Sequence, residues 1–233
     1  MKIPILMYHS ISNGNHQLSV SLNNFEKQMK FMNDNNYVSI KFDDLNNLNQ
    51  EKKYFIITFD DGYEDVYLNA LPILKNYNFK AVCFFVPDFI GKYNVWDENR
   101  NDFIKLNLMN MRQIQNWHNS GMSIGGHTTC HKNLTEINYE DKLNEIIGPK
   151  YFFNKNLSLN INSFSYPFGR FDKESVQIVK KNYDFAVTTR RSRYKINKFD
   201  LSRIPRIPIN KTDNMFKFFL KIKTFYEDIK YKK

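Results

Sequence analysis

The sequence predicts an α/β fold, a parallel sheet closed or nearly closed into a barrel. Three observations lead there. Short apolar runs alternate with longer helix-patterned segments along the whole chain. The 233 residues suffice for one sizeable domain with a real core, and no repeat, low-complexity tract or linker divides them. Several apolar runs end in carboxylates or imidazoles, as strands do whose C-terminal ends share one active rim.

The first strand falls on 4–8 and ends in His9. A helix is expected over 22–33 and a strand over 37–40. Tyr54-Phe55-Ile56-Ile57-Thr58-Phe59 forms a strand, 54–59, that closes in Asp60-Asp61-Gly62. Helix 66–77 leads to strand 80–86 and then Asp88, and helix 111–119 leads to strand 122–125 and then His127. Ile124-Gly125-Gly126 is expected to let the backbone turn sharply before that histidine. Asn138 and Asp172 read as caps for helices 139–153 and 173–182. Strand 163–166 runs into Pro167-Phe168-Gly169, strand 185–189 ends at Arg190, and 201–204 is the last strand. Residues 1–213 are assigned to the barrel. Residues 214–233 mix Phe, Tyr and Lys at roughly helical spacing and are expected to form a basic aromatic helix, packed on the barrel or on a membrane surface.

Composition excludes some classes. With 42% hydrophobic and 16% aromatic residues the chain is not globally disordered, and no apolar run spans a bilayer. Cys83 and Cys130 are too few for a disulfide framework and are expected to be thiols. The net charge of +10 suits an anionic surface such as nucleic acid, acidic glycan or lipid headgroups, or simply reflects a solvated Lys- and Asn-rich exterior. No nucleic-acid partner is expected. The apolar stretch at Met1–His9 is too short for a signal peptide. The expectation is therefore a cytoplasmic protein, peripheral to the inner membrane through its tail, and extracytoplasmic only where a leader has been removed.

The rim carries the chemistry. Two adjacent carboxylates repel, and a buried one is costly unless paired or metal-bound, so folding alone does not explain Asp60-Asp61. His127 and His131 lie four apart, on one face of a helical turn, where both rings can reach one ion. Cys130 between them reads as a small buried side chain rather than a ligand. The economical division of the acids is one ligand and one base, since a cation acidifies water and a neighbouring carboxylate can then take its proton.

Thr58-Phe59-Asp60-Asp61-Gly62 and His127-Thr128-Thr129-Cys130-His131 resemble the first two signatures of the polysaccharide deacetylases, carbohydrate esterase family 4, also called the NodB homology domain. Ser165-Tyr166-Pro167-Phe168-Gly169 resembles the third, and Ala186-Val187-Thr188-Thr189-Arg190 fits as well. The resemblance covers roughly residues 3–209. It implies a distorted or incomplete (β/α) barrel of about seven parallel strands, with Asp60 as general base, and Asp61, His127 and His131 as ligands of a divalent metal, zinc being favoured. It also implies the Phe168 N–H as oxyanion donor, on a loop shaped by Pro167 and Gly169.

Two departures from the common pattern point to one subgroup. Ser165 stands where an arginine commonly orients the base, and Arg203 or Arg206 is the candidate replacement or a surface residue. None of the five histidines follows His131, which leaves His9 as the acid, while His16 and His118 read as surface residues. This resembles the circularly permuted branch that includes poly-N-acetylglucosamine deacetylases. Asp88 and Tyr166 are further substrate-side candidates, Asp88 either lining the groove or capping a loop. Trp96, in the loop 93–101, either stacks on a sugar or anchors its loop.

The implied function is hydrolytic N-deacetylation of amino sugars in an N-acetylated glycan or a lipid-linked sugar. Its rivals are an amidase or deformylase acting on a lipid-linked or small-molecule amide, and a noncatalytic glycan- or membrane-binding protein.

Overall fold

Seven parallel strands close on themselves in sequence order. They are β1 (Ile5–Tyr8), β2 (Lys53–Phe59), β3 (Val82–Phe85), β4 (Ser123–Gly126), β5 (Ser163–Ser165), β6 (Phe185–Arg191) and β7 (Ile204–Pro208). The seam is the pairing of β1 with β7, where Leu6 lies opposite Ile207, while Leu6 also faces Ile57 of β2. The computed structural model describes residues 1–196 and 198–230.

Side-chain alternation along each strand divides the apolar residues into two groups. Leu6, Tyr8, Phe55, Ile57, Phe59, Cys83 and Phe85 point outward and join the large cluster under the helices. Ile5, Ile56, Val82, Phe84, Val187 and Ile204 point inward and fill the barrel. Gly125 is part of this packing. It lies within β4 rather than at a turn, and a Cβ there would run into the Phe84 ring. The glycine pair thus admits a neighbour instead of bending the chain.

The strand expected over 37–40 forms at Tyr37–Ser39, but outside the ring. It pairs with Lys53–Phe55 at the start of β2, below the point where β3 takes over at Thr58 and Phe59. The final strand begins at Ile204, where the sequence placed its end.

The helices are α1 (Leu22–Asp34), α2 (Leu71–Asn76), α3 (Met111–Asn119), α4 (Tyr139–Leu157) and α5 (Lys173–Asn182). Side chains of Ser21, Asn110, Asn138 and Asp172 cap α1, α3, α4 and α5 by accepting backbone N–H bonds. The helix expected over 66–77 opens as a wide π-type turn at Val66–Ala70 before becoming α2. Pro72 has no N–H to offer a carbonyl one turn earlier, which disfavours regular α-helix across that junction.

The tail forms two helices, α6 (Met215–Lys223) and α7 (Tyr226–Lys230). Phe218 and Ile222 enter the main core, and Phe218 meets Phe31 of α1 edge-on at 5.8 Å. Buried Lys221 pairs with Asp213 at 2.5 Å, and α7 is latched by Glu227 to Arg191 and by Asp228 to Arg193. The expected tail extends over 231–233, which lie outside the described residues. None of the described helices is long and apolar enough to cross a membrane.

Candidate active site

The C-terminal ends of the strands surround a cavity of about 380 Å³. His9, Asp60, Asp61, His127, His131 and Phe168 all line it.

Asp60 continues the inward parity of Ile56 and Thr58, so it points into the barrel mouth. There it meets Arg206, whose Nη1 and Nη2 each donate to a different carboxylate oxygen at 2.7 Å. This is the bidentate geometry that suits arginine. Arg206 is fully buried, and the rest of its guanidinium is also satisfied: Nε donates to the Thr188 carbonyl, Nη1 to Thr58 Oγ1 and Nη2 to Ser165 Oγ. Ser165 Oγ also donates to Asp60 at 3.3 Å. The small serine at the usual arginine position therefore leaves room for a guanidinium arriving from β7. Arg203 lies elsewhere, half-exposed and paired with Asp200. Burial opposes ionisation of Asp60, but the Arg206 charge and hydrogen bonds prevail and hold its pKa below the usual carboxylate range.

Asp61 turns away from its neighbour because the backbone changes hand there. Its φ is 72°, followed by 75° at Gly62. Thr128, His131 and Phe168 are also left-handed, with φ of 60°, 58° and 59°. Non-glycine residues in this region are uncommon, and their concentration at one rim marks backbone held by its surroundings. The segment 127–131 is accordingly a loop, not the helical turn that the i, i+4 spacing suggested.

That loop brings both imidazoles onto Asp61. His127 Nε2 and His131 Nε2 each lie 3.3 Å from Asp61 Oδ1, and all three side chains are buried. His127 Nδ1 is 2.7 Å from the Ser165 carbonyl, an acceptor that fixes the proton there and leaves Nε2 free as a ligand. His131 Nδ1 has no hydrogen-bond partner among the described residues. The donor atoms lie within 4.8 Å of one another. Two imidazole nitrogens and one carboxylate oxygen beside the cavity are a donor set that fits a catalytic divalent-metal site. Burial raises the Asp61 pKa, but the hydrogen bonds from His127 and His131 carry it well below the ordinary range.

His9 follows β1 and is half-buried on the cavity wall. Burial lowers its pKa below the ordinary histidine value, against the opposing pull of Asp61 and Asp60. Phe168 is 52% exposed and sets its ring edge-on to His131 at 4.8 Å. Trp96 stacks on the other side of His131, with ring centroids 4.3 Å apart. Buried Asn94 fixes the Trp96 loop through the Leu106 N–H and the Ile104 carbonyl.

Other candidates fall outside the cavity lining. Asp88 is exposed and accepts from Cys130 Sγ, so it secures the histidine loop. Cys130 is half-buried and bound to that carboxylate, with its thiol pushed up to about 12 by burial and by Asp88. Tyr166 is buried and donates to the Ser202 carbonyl, and buried Pro167 shapes the turn. His118 is exposed as expected. His16, expected on the surface, instead lines the cavity with Asp97, Arg100 and Asp102. These come from two long loops, where sequence periodicity gives no signal.

Fold and site together define the class: a parallel α/β barrel with a candidate metal centre and a separate ion-paired carboxylate at its rim. The chain belongs to the polysaccharide deacetylase family, whose family model matches residues 47–184. It is 35% identical over 81% of its length to the Bacillus subtilis protein YxkH, which carries a polysaccharide deacetylase name, and spans 64% of that protein. It is 28% identical over 68% of its length to a poly-β-1,6-N-acetyl-D-glucosamine N-deacetylase of Staphylococcus epidermidis, spanning 55% of it. The chain thus covers less than two thirds of either relative. Among solved structures, the Streptococcus pyogenes deacetylase PplD, determined with acetate, superposes with a TM-score of 0.82 at 28% identity, over 95% of this chain and 98% of that one.

Proposed function

We propose that this protein removes N-acetyl groups from amino sugars of a glycan or glycolipid by metal-assisted hydrolysis. The observation that carries the reading is the division of labour between adjacent acids. Asp60 is held by Arg206, and Asp61 by His127 and His131, within one cavity. The names of the relatives support a sugar amide as substrate.

Asp61, His127 and His131 would hold the ion, for which zinc is our assignment. When bound, such an ion acidifies water and stabilises negative charge on a carbonyl oxygen. Asp60, ionised and fixed by Arg206, accepts the proton of the attacking water. The Phe168 N–H is assigned to the oxygen of the tetrahedral species. His9 gives its proton to the departing nitrogen as the C–N bond breaks, so acetate and a free amine result. Trp96 and Phe168 flank His131 and limit access of bulk water.

The test is acetate release from N-acetylglucosamine oligomers, with metal content measured on the same sample. Chelation is expected to abolish release and zinc to restore it. Unchanged release by metal-free protein would refute the metal assignment. Cleavage of N-formyl but not N-acetyl sugars would move the assignment to a deformylase.

We further propose that the tail touches an anionic membrane, which would suit a lipid-linked sugar. Phe216 and Phe219 are exposed on α6, 68% and 42%, and Ile229 on α7 is 70% exposed, among Lys217, Lys223 and Lys230. Aromatic and basic side chains together favour the headgroup layer. Replacing Phe216 and Phe219 by Ser is expected to weaken sedimentation with phosphatidylglycerol vesicles about tenfold or more, given the apolar area withdrawn. Equal sedimentation of variant and wild type would remove the tail from membrane contact.

A further inference from the structure

The loop that carries His127 and His131 leans on a defect in α4. Pro149 sits inside that helix and has no N–H for the Glu145 carbonyl one turn earlier. Carbonyls of the turn before Pro149 find donors outside the helix. Thr129 Oγ1 donates to the Asn144 and Glu145 carbonyls at 3.2 and 3.5 Å, and the Tyr183 hydroxyl to the Ile146 carbonyl at 2.8 Å. Gly148 opens the space, because a Cβ there would collide with the Thr129 side chain.

Glu145 supplies the second hold. Its side chain is almost wholly buried, and Oε2 accepts the Cys130 backbone N–H at 2.9 Å. Its other oxygen lies 3.6 Å from Lys132 Nζ. The contacts therefore bracket the loop, at Thr129, Cys130 and Lys132, between and beyond the left-handed residues Thr128 and His131. Unfavourable backbone angles of this kind persist only where neighbours over-determine them.

We propose that Glu145, with the Gly148-Pro149 notch, is a positioning element of the metal site: it holds the loop backbone in the turn that brings both imidazole Nε2 atoms to Asp61. Glu145 lies outside the cavity lining and acts through the Cys130 N–H. The inference rests on the metal-site reading above, and the experiment separates the two. Zinc affinity is measured by competition with a chromophoric chelator, and ligand geometry by the visible absorption of the cobalt-substituted protein.

Glu145→Ala is expected to weaken zinc binding about 10- to 100-fold and to alter the cobalt spectrum. Glu145→Gln keeps an oxygen acceptor for the Cys130 N–H and is expected to stay within about threefold of wild type. Lys142→Ala, which removes the part-buried ion pairs of the same helix with Asp172 and Glu174, is expected to lower thermal stability without changing zinc affinity. Should Glu145→Ala not fold, Thr129→Val carries the test and is expected to weaken zinc binding in the same direction. Wild-type affinity in both Glu145→Ala and Thr129→Val, or equal losses in Glu145→Ala and Glu145→Gln, overturns the inference. A wild-type protein that takes up no zinc overturns the metal reading and the inference with it.

Discussion

Asp60→Asn is expected to lower kcat on an N-acetylated sugar by about 10²–10⁴-fold while the protein keeps its metal. Asparagine preserves the shape and still offers Arg206 one oxygen, but it cannot take a proton. Asp61, His127 and His131 keep their mutual contacts, since Asp60 bonds to none of them. His9→Ala is expected to lose on the order of 10²-fold, whereas exposed His118→Ala should match wild type. A wild-type rate in Asp60→Asn would move the base elsewhere, and loss of metal would make Asp60 a ligand. Equal losses at His9 and His118 would sink the assignment of the acid. The pH profile follows from the directions given above. Activity should rise as Asp60 ionises, below the usual carboxylate range, and fall as His9 loses its proton, below the ordinary histidine value.

Arg206→Met should produce the largest stability effect, about 3–5 kcal/mol at neutral pH, because it strands a buried carboxylate without its cation. Asp60 touches the cavity, where water can reach it, which favours the lower end of that range. The sign with pH is definite. In the wild type the folded-state pKa of Asp60 is depressed. The pair therefore contributes stability above the unfolded carboxyl's pKa of about 3.9, and that contribution is lost as pH falls through the folded value. In the variant the charge and hydrogen bonds of Arg206 are gone and burial is opposed only by the weaker pull of His127 and His9 and by the Ser165 hydroxyl, so the Asp60 pKa rises above its wild-type value and the defect relative to wild type should shrink on acidification. The acid limb of the activity profile should move to higher pH. Chemical denaturation at pH 7 and at pH 4 to 5 measures the first effect, and initial rates the second. A defect independent of pH would mean that Arg206 stabilises by packing rather than by charge. Repeating the substitution in Asp60→Asn should cost much less, because little charge is then left unpaired.

Much of this was legible in the residues. The barrel showed in apolar runs that alternate with helical patterns, and the rim showed in the acids and imidazoles at their ends. Asp61, His127 and His131 do converge on one point. Their route there is a loop rather than a helical turn, because an i, i+4 spacing is equally available to a loop whose φ values change sign, and no local signal at Thr128 announces that. The choice between Arg203 and Arg206 was decidable by parity. Ile204 faces the interior, so Arg206, two residues on, does too, and Arg203 does not. Trp96 against His131 and the brace from Glu145 were out of reach, since each joins residues far apart along the chain through a contact that no periodicity encodes.

The seam of the barrel has a kinetic meaning. His9, the proposed proton donor, follows β1, Arg206, which anchors the proposed base, lies on β7, and these two strands pair across nearly the whole described chain, Leu6 against Ile207. Such non-local closure is slow to form, and chains emerge from synthesis N-terminal end first. Before β7 docks, a nascent chain carries an open edge on β1 and an Asp60 with no counter-charge. Competence and closure should therefore arrive in the same step, with the half-made barrel both inactive and exposed to chaperones.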